Sequence, residues 1–124
     1  MLYTEWKIEG REPLKLRLRA RDCVEVEKLI GTNPINVIIE EAQKEHLPNI
    51  SHIVAILQCS MRAFEHGKSL EEVYDLYDEY MDKGGSIDAL LDLLMEVFKV
   101  SGFIPEDEPE EKDEEAEKNA TGAK

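Results

Sequence analysis

Histidine, cysteine and paired carboxylates are the side chains with which a short chain could hold a metal or move a proton, and their spacing here favours neither. His46, His52 and His66 form no H-x-x-x-H or H-E-x-x-H pattern, so no single helix turn brings two imidazoles to one ion. His46 and His66 are expected at helix C-termini, where the helix dipole favours them. Asp75, Asp78, Glu79 and Asp82 share one side of a helical stretch and read as a solvated face, not an acid–base pair. The run Asp82-Lys83-Gly84-Gly85-Ser86-Ile87-Asp88 superficially resembles a calcium loop. With Asp82 as position 1, however, the third and fifth ligand positions fall on Gly84 and Ser86, and the obligatory bidentate glutamate falls on Leu93. Gly84-Gly85 has no preceding strand and no following lysine at phosphate-loop spacing. Ser51, Ser69 and Ser86 stand where helix caps are needed, not in a nucleophile elbow. Cys23 and Cys59 form no C-x-x-C and sit among apolar residues, as expected of reduced core thiols. No catalytic residue, cofactor or metal is expected, and the chain is expected not to be an enzyme.

The residue types that favour binding are better represented. Tyr74, Tyr77 and Tyr80 are grouped, and tyrosine offers a large contact area and a hydroxyl at low entropic cost. Residues at the edges of the apolar stripes on the last two helical segments, Tyr74, Tyr77, Met81, Leu93 and Phe98, are the expected protein-contacting set. Tyr77 also belongs to the core stripe of its helix. One basic run, Lys15, Arg17, Arg19 and Arg21, could touch nucleic acid, but acids on a neighbouring strand are expected to neutralise it.

These side chains must be carried by elements whose periodicity is readable. Leu2, Thr4, Trp6 and Ile8 alternate with Tyr3, Glu5, Lys7 and Glu9, and Leu14, Leu16 and Leu18 alternate with Lys15, Arg17 and Arg19. Period two with one apolar face reads as a pair of half-buried strands. Gly10-Arg11-Glu12-Pro13 supplies the turn of a β-hairpin over residues 2–19. Glu5 and Glu9 are then expected to meet Arg17 or Lys15 across the pair.

From Ala20 the period becomes helical. Cys23, Val26, Leu29 and Ile30 form the first stripe, with Asp22 as a cap and Gly31 as the stop. Asn33-Pro34 opens a second helix with Ile35, Ile38, Ile39 and Ala42 inward, ended by His46-Leu47-Pro48. A third runs from near Ser51 to His66-Gly67. It carries Ile53, Val54, Leu57, Met61 and Phe64 on one face, widened by Ala55, Ile56 and Ser60, so it should be central. Ser69-Leu70-Glu71-Glu72 is a capping box for a fourth helix with Leu70, Val73, Tyr77, Tyr80 and Met81 inward. Ser86 caps a fifth with Ile87, Leu90, Leu91, Leu94, Val97 and Phe98; Gly102 stops it, and Phe103-Ile104 should pack back. The fold class is therefore mainly α with a small N-terminal β-hairpin (α+β), about five short helices packed as a bundle.

Composition sets the outer limits. The chain has 124 residues, 42% hydrophobic, with a formal charge of −13. That suffices for one domain, and the charge opposes nucleic acid and anionic membranes. The first residues lack the basic and apolar regions of a signal peptide, and no apolar run approaches the roughly 20 residues of a membrane span. Residues 105–124 hold nine acids and three lysines without a large apolar side chain. They carry −6, leaving −7 on residues 1–104, and read as a disordered acidic tail following a 1–104 domain.

The strand ending "LKLRLRA", the segment "VEVEKLIGTNPINVI" and the run "HGKSLEEVYDLYDEYMDKGGSIDALLDLLMEVFKVSGFI" together resemble the tail assembly chaperones of siphophages and related prophages of Gram-positive hosts. The resemblance covers roughly residues 3–104 and is most specific from Gly67 to Phe103. It consists of helix boundaries and packing residues and transfers no active site. It implies a chaperone that holds the helix-rich tape measure protein soluble until tail tube subunits polymerise around it. It implies, further, weak self-association into open helical oligomers, and a longer form, made by a programmed frameshift, that contacts the tail tube protein. The expected place of action is the host cytoplasm, not the mature virion. Two other readings remain at this stage: an acidic interaction protein, either a DNA mimic or a host-enzyme inhibitor, and a small helical regulator.

Overall fold

Alternation at the N-terminus becomes a two-stranded antiparallel hairpin, β1 (Thr4–Trp6) and β2 (Leu14–Leu16), in which Thr4 faces Leu16, Glu5 faces Lys15 and Trp6 faces Leu14. The computed structural model describes residues 2–43, 47–64 and 68–105. Trp6, Ile8, Leu14, Leu16 and Leu18 are all buried on the helix-facing side. The strands are shorter than the alternation predicts, and Leu2 is exposed. The reason lies in where the backbone donors go. The N–H of Arg17 donates to the Ser60 carbonyl at 2.8 Å, and that of Leu18 to Ser101 Oγ at 2.9 Å. Both groups are thus spent on helical segments, and the ladder stops at Leu16.

Helix α1 (Ala20–Ile30) ends on Gly31, whose φ of 80° is the left-handed conformation that glycine adopts without strain. Asp22 is not the residue before the helix, as expected, but lies within its first turn. Its carboxylate reaches back to accept the Arg19 N–H at 3.0 Å, and it also receives the Arg19 guanidinium at 2.7 and 3.1 Å. Helix α2 (Pro34–Gln43) opens as its sequence predicts, with Asn33 Oδ1 accepting from the N–H groups of Ile35 and Asn36 at 2.8 and 3.0 Å. Ile38 is its fully covered residue. His46, His66, Gly67 and the acidic segment 106–124 lie outside the described residues, as does the side chain of Ala42.

Helix α3 (Ile50–Met61) buries Ile53, Val54, Ala55, Ile56, Leu57, Cys59, Ser60 and Met61, and packs against α1, β2 and two further helices, α4 (Leu70–Asp82) and α5 (Ile87–Val100). It is the central helix its all-round apolarity predicts. Two details differ: Asn49, not Ser51, precedes the helix, and the helix stops before Phe64, which sits in the following turns. Ser60 is buried without penalty because its hydroxyl donates to the Ile56 carbonyl at 2.6 Å.

The capping box of α4 closes in both directions, Glu72 N–H to Ser69 Oγ at 3.1 Å and Ser69 N–H to Glu72 Oε1 at 2.8 Å. Its fully covered side chains are Val73 and Leu76, with Tyr77, Tyr80 and Met81 half-buried beside them. Gly85 follows because a Cβ there would lie 2.3 Å from the Tyr80 ring, and that ring stands edge-on to Trp6 at 5.7 Å. Ser86 Oγ caps α5 by accepting from Ala89 N–H at 3.1 Å, and α5 buries Leu90, Leu94, Val97 and Phe98. Ile104 returns to the core, while the Phe103 ring stays exposed although its N–H donates to the Phe98 carbonyl at 2.9 Å.

Candidate functional site

Among the described residues no three metal-ligating side chains converge, and no helix is long and apolar enough to cross a membrane. Both cysteines are buried and unpaired. Burial pushes the Cys59 thiol up to about 11, and that of Cys23 in the same direction, so neither is held as a nucleophilic thiolate. Asp22, fully buried, is occupied by Arg19 and, at 3.8 Å, by Arg62. It joins the start of α1 to the end of α3.

A second polar cluster ties the hairpin turn to α4. Arg11 meets Glu79 through two hydrogen bonds of 3.1 and 2.9 Å. Lys83 donates to Glu79 at 2.9 Å and to the Glu9 carbonyl at 2.6 Å. The Arg11 hydrogen bond, then that from Lys83, lower the Glu79 carboxyl to about 2. Depression below the ordinary value of 4.5 means that the clamp contributes stability above that ordinary value and loses it as pH falls through about 2. An NMR titration of the Glu79 carboxyl carbon is expected to show this low midpoint, and Arg11→Ala should move it upward. An ordinary midpoint in the parent chain would show that the clamp is not formed in solution.

A cleft of about 200 Å³ lies at the junction of α1, α3 and α4, lined chiefly by Leu29, Ile30, His52, Ala55, Leu70 and Tyr74. Leu29 is 51% exposed and Tyr74 40%. Both are large side chains that the fold leaves uncovered. Ile50, at the start of α3, is also exposed. Ala55 forms a small buried floor, which lets a guest side chain enter between the larger walls. His52 has its Nδ1 buried without a hydrogen-bond partner among the described residues. On α4 the exposed acids one turn from Tyr74 in each direction are Glu71 and Asp78. The cleft therefore has an apolar base and an acidic rim. A wider depression between α2 and α5, about 680 Å³, is lined by Ile39, Met95, Ile104 and Pro105, but also by Asp92, Glu96 and Lys99.

The five expected contact residues do not form one surface. Tyr74 lies in the cleft wall. Tyr77, Met81 and Leu93 are half-buried and packed against the core, and burial pushes the Tyr77 hydroxyl upward. Phe98 is fully buried and leaves the set, because its ring cannot meet a partner while the bundle is closed. Leu29, Ile30, Ala55 and Leu70 belong by their spacing to core stripes, and their convergence at the cleft carries no local signal. The expected pairing of Glu5 or Glu9 with Lys15 or Arg17 is also not what forms. Lys15 Nζ lies over the rings of Tyr3 and Phe64, 5.0 and 5.8 Å from their centroids. Arg17 Nη1 donates to the carbonyls of Leu2 and Val100 at 3.0 and 3.4 Å.

Residues 6–121 match the model of a family of unknown function, DUF6096. No curated protein and no solved structure matches the chain.

Proposed function

We propose that this chain, which belongs to the DUF6096 family, is a binding chaperone for the tail assembly of a long-tailed bacteriophage. In this reading it covers the apolar helical stripes of the tape measure protein in the host cytoplasm, and tail tube subunits displace it. The observation that carries the reading is the cleft between α1, α3 and α4, which exposed Leu29 and Tyr74 line together with the buried Ala55. Such a trough suits one face of an amphipathic helix. Its rim of Glu71 and Asp78 selects a partner whose apolar stripe is flanked by lysine or arginine, since like charges at a rim discourage the wrong partner. A net charge of −13 keeps many copies on one long filament soluble and mutually repelling. The longer frameshifted form and weak self-association belong to the same proposal.

Co-expression tests it. The tape measure protein should remain in the soluble fraction only when this chain is present. Leu29→Glu combined with Tyr74→Glu should abolish that effect without changing the circular dichroism, because both side chains are exposed. Aromatic anchors of this kind typically contribute about 2 kcal/mol or more to binding when they are truncated. A tape measure protein equally soluble with the double variant, or equally insoluble with the parent chain, would reject the reading.

A further inference from the structure

Six cations on or beside the helices and in the hairpin turn, Arg11, Arg19, Lys28, Arg62, Lys83 and Lys99, each lie within 4.0 Å of an aspartate or glutamate. The outward face of the hairpin is different. Lys15 is exposed and rests on two aromatic rings. Arg17 bonds only backbone carbonyls, and its Nε is buried without a partner among the described residues. Lys7 is exposed on the same face by strand alternation. Glu5, opposite Lys15, and Glu9 are acids on this face, so Lys7, Lys15 and Arg17 leave it at about +1 on a chain whose total is −13.

We propose that this cationic and aromatic face is the docking surface for the chain's own acidic segment, residues 106–124. Charge complementarity is the first argument. All nine of that segment's acids fall within residues 106–117, accompanied by a single lysine, Lys112. Proximity is the second. The Arg17 guanidinium touches the carbonyl of Val100, and Glu106 follows Val100 by six residues, a reach of at most about 20 Å even when extended. A tethered polyanion so close is present at an effective concentration in the millimolar range, which puts it ahead of any free acidic competitor. Because the pairs are exposed, the contact is weak singly and strongly salt-dependent. It covers a patch on which the hairpin would otherwise attract foreign polyanions, and it acts apart from the α1–α3–α4 cleft.

The test uses the full chain. Cys23 and Cys59 are buried, so Ala116→Cys offers a selective site for a nitroxide label. At about 0.01 M salt, where screening extends to about 30 Å, the amide signals of Tyr3, Lys15 and Arg17 should lose most of their intensity. At about 1 M salt, where it shrinks to about 3 Å, they should recover. Lys7→Glu with Lys15→Glu, both exposed positions, should prevent the loss at low salt. Absence of the loss, its appearance only around residues 101–105, or its persistence in the double variant would overturn the proposal. So would broadening that appears equally when isotope-labelled chain without the nitroxide is mixed with unlabelled chain carrying it, because the occupant would then be a second copy.

Discussion

Leu94→Asp is expected to remove the cooperative thermal transition and the native circular dichroism of the chain. Leu94 is fully buried on α5, between Leu90 and Phe98 on the same helix face, and α5 packs on both α3 and β1. Removing the leucine forfeits about 1.5–3 kcal/mol of apolar burial. Placing an ionised carboxylate there without a cation costs several kcal/mol more. The sum, upwards of about 5 kcal/mol, equals or exceeds much of the 5–15 kcal/mol that stabilises an ordinary small domain. Protonation of the aspartate at low pH would recover part of the loss, so any residual structure should increase as the solution is acidified. A variant with the parent melting temperature would show that this face of α5 is not the one packed inward.

Trp6→Ala carries the second largest expected effect. Trp6 is 1% exposed. It projects from β1 onto the helices and stands edge-on to Tyr80, 5.7 Å between centroids at 65°. Truncation of a buried tryptophan costs about 3–5 kcal/mol. Here it also cuts the attachment of a hairpin that has little stability of its own. The polar atom separates two components of that effect. The Trp6 Nε1 is buried without an acceptor among the described residues, and an unmet donor costs about 1–3 kcal/mol. Trp6→Phe retains an aromatic ring and discards the unmet donor, so its urea midpoint should lie far nearer to the parent than that of Trp6→Ala. Equal losses in the two variants would mean that an aromatic ring at this position adds nothing over a methyl group, and so that Trp6 is not packed in the core. Circular dichroism is the suitable probe, since Trp6 is the chain's single tryptophan.

Helix boundaries were readable in this chain because they depend on neighbours in sequence. Gly31 in the left-handed conformation, Asn33 before Pro34, the reciprocal Ser69 and Glu72 bonds, and the Ser86 cap are each closed within four residues. The inward face of the hairpin and the all-round burial of α3 follow from alternation and from apolar density in the same local way. The edges of each stripe were not readable. Leu76, absent from the expected stripe of α4, is covered, because the helix is turned so that Val73, Leu76 and Tyr80 face inward. Asp22 was expected before α1, yet its carboxylate reaches backward from inside the first turn.

By itself, then, the sequence determined the fold class, the number and order of the elements, the residues that begin and end most helices, and the strongly acidic balance. Tertiary structure decided which stripe-edge side chains are covered: Phe98 is enclosed by the bundle, while Leu29 is left open beside Tyr74. It also decided what each hairpin cation meets, aromatic rings for Lys15 and backbone carbonyls for Arg17 in place of the acids across the strand. The physical reason is one of range. Periodicity and capping are settled over a few residues along the chain. The covering of a side chain and the partner of a charge depend on elements tens of residues away that only folding brings alongside.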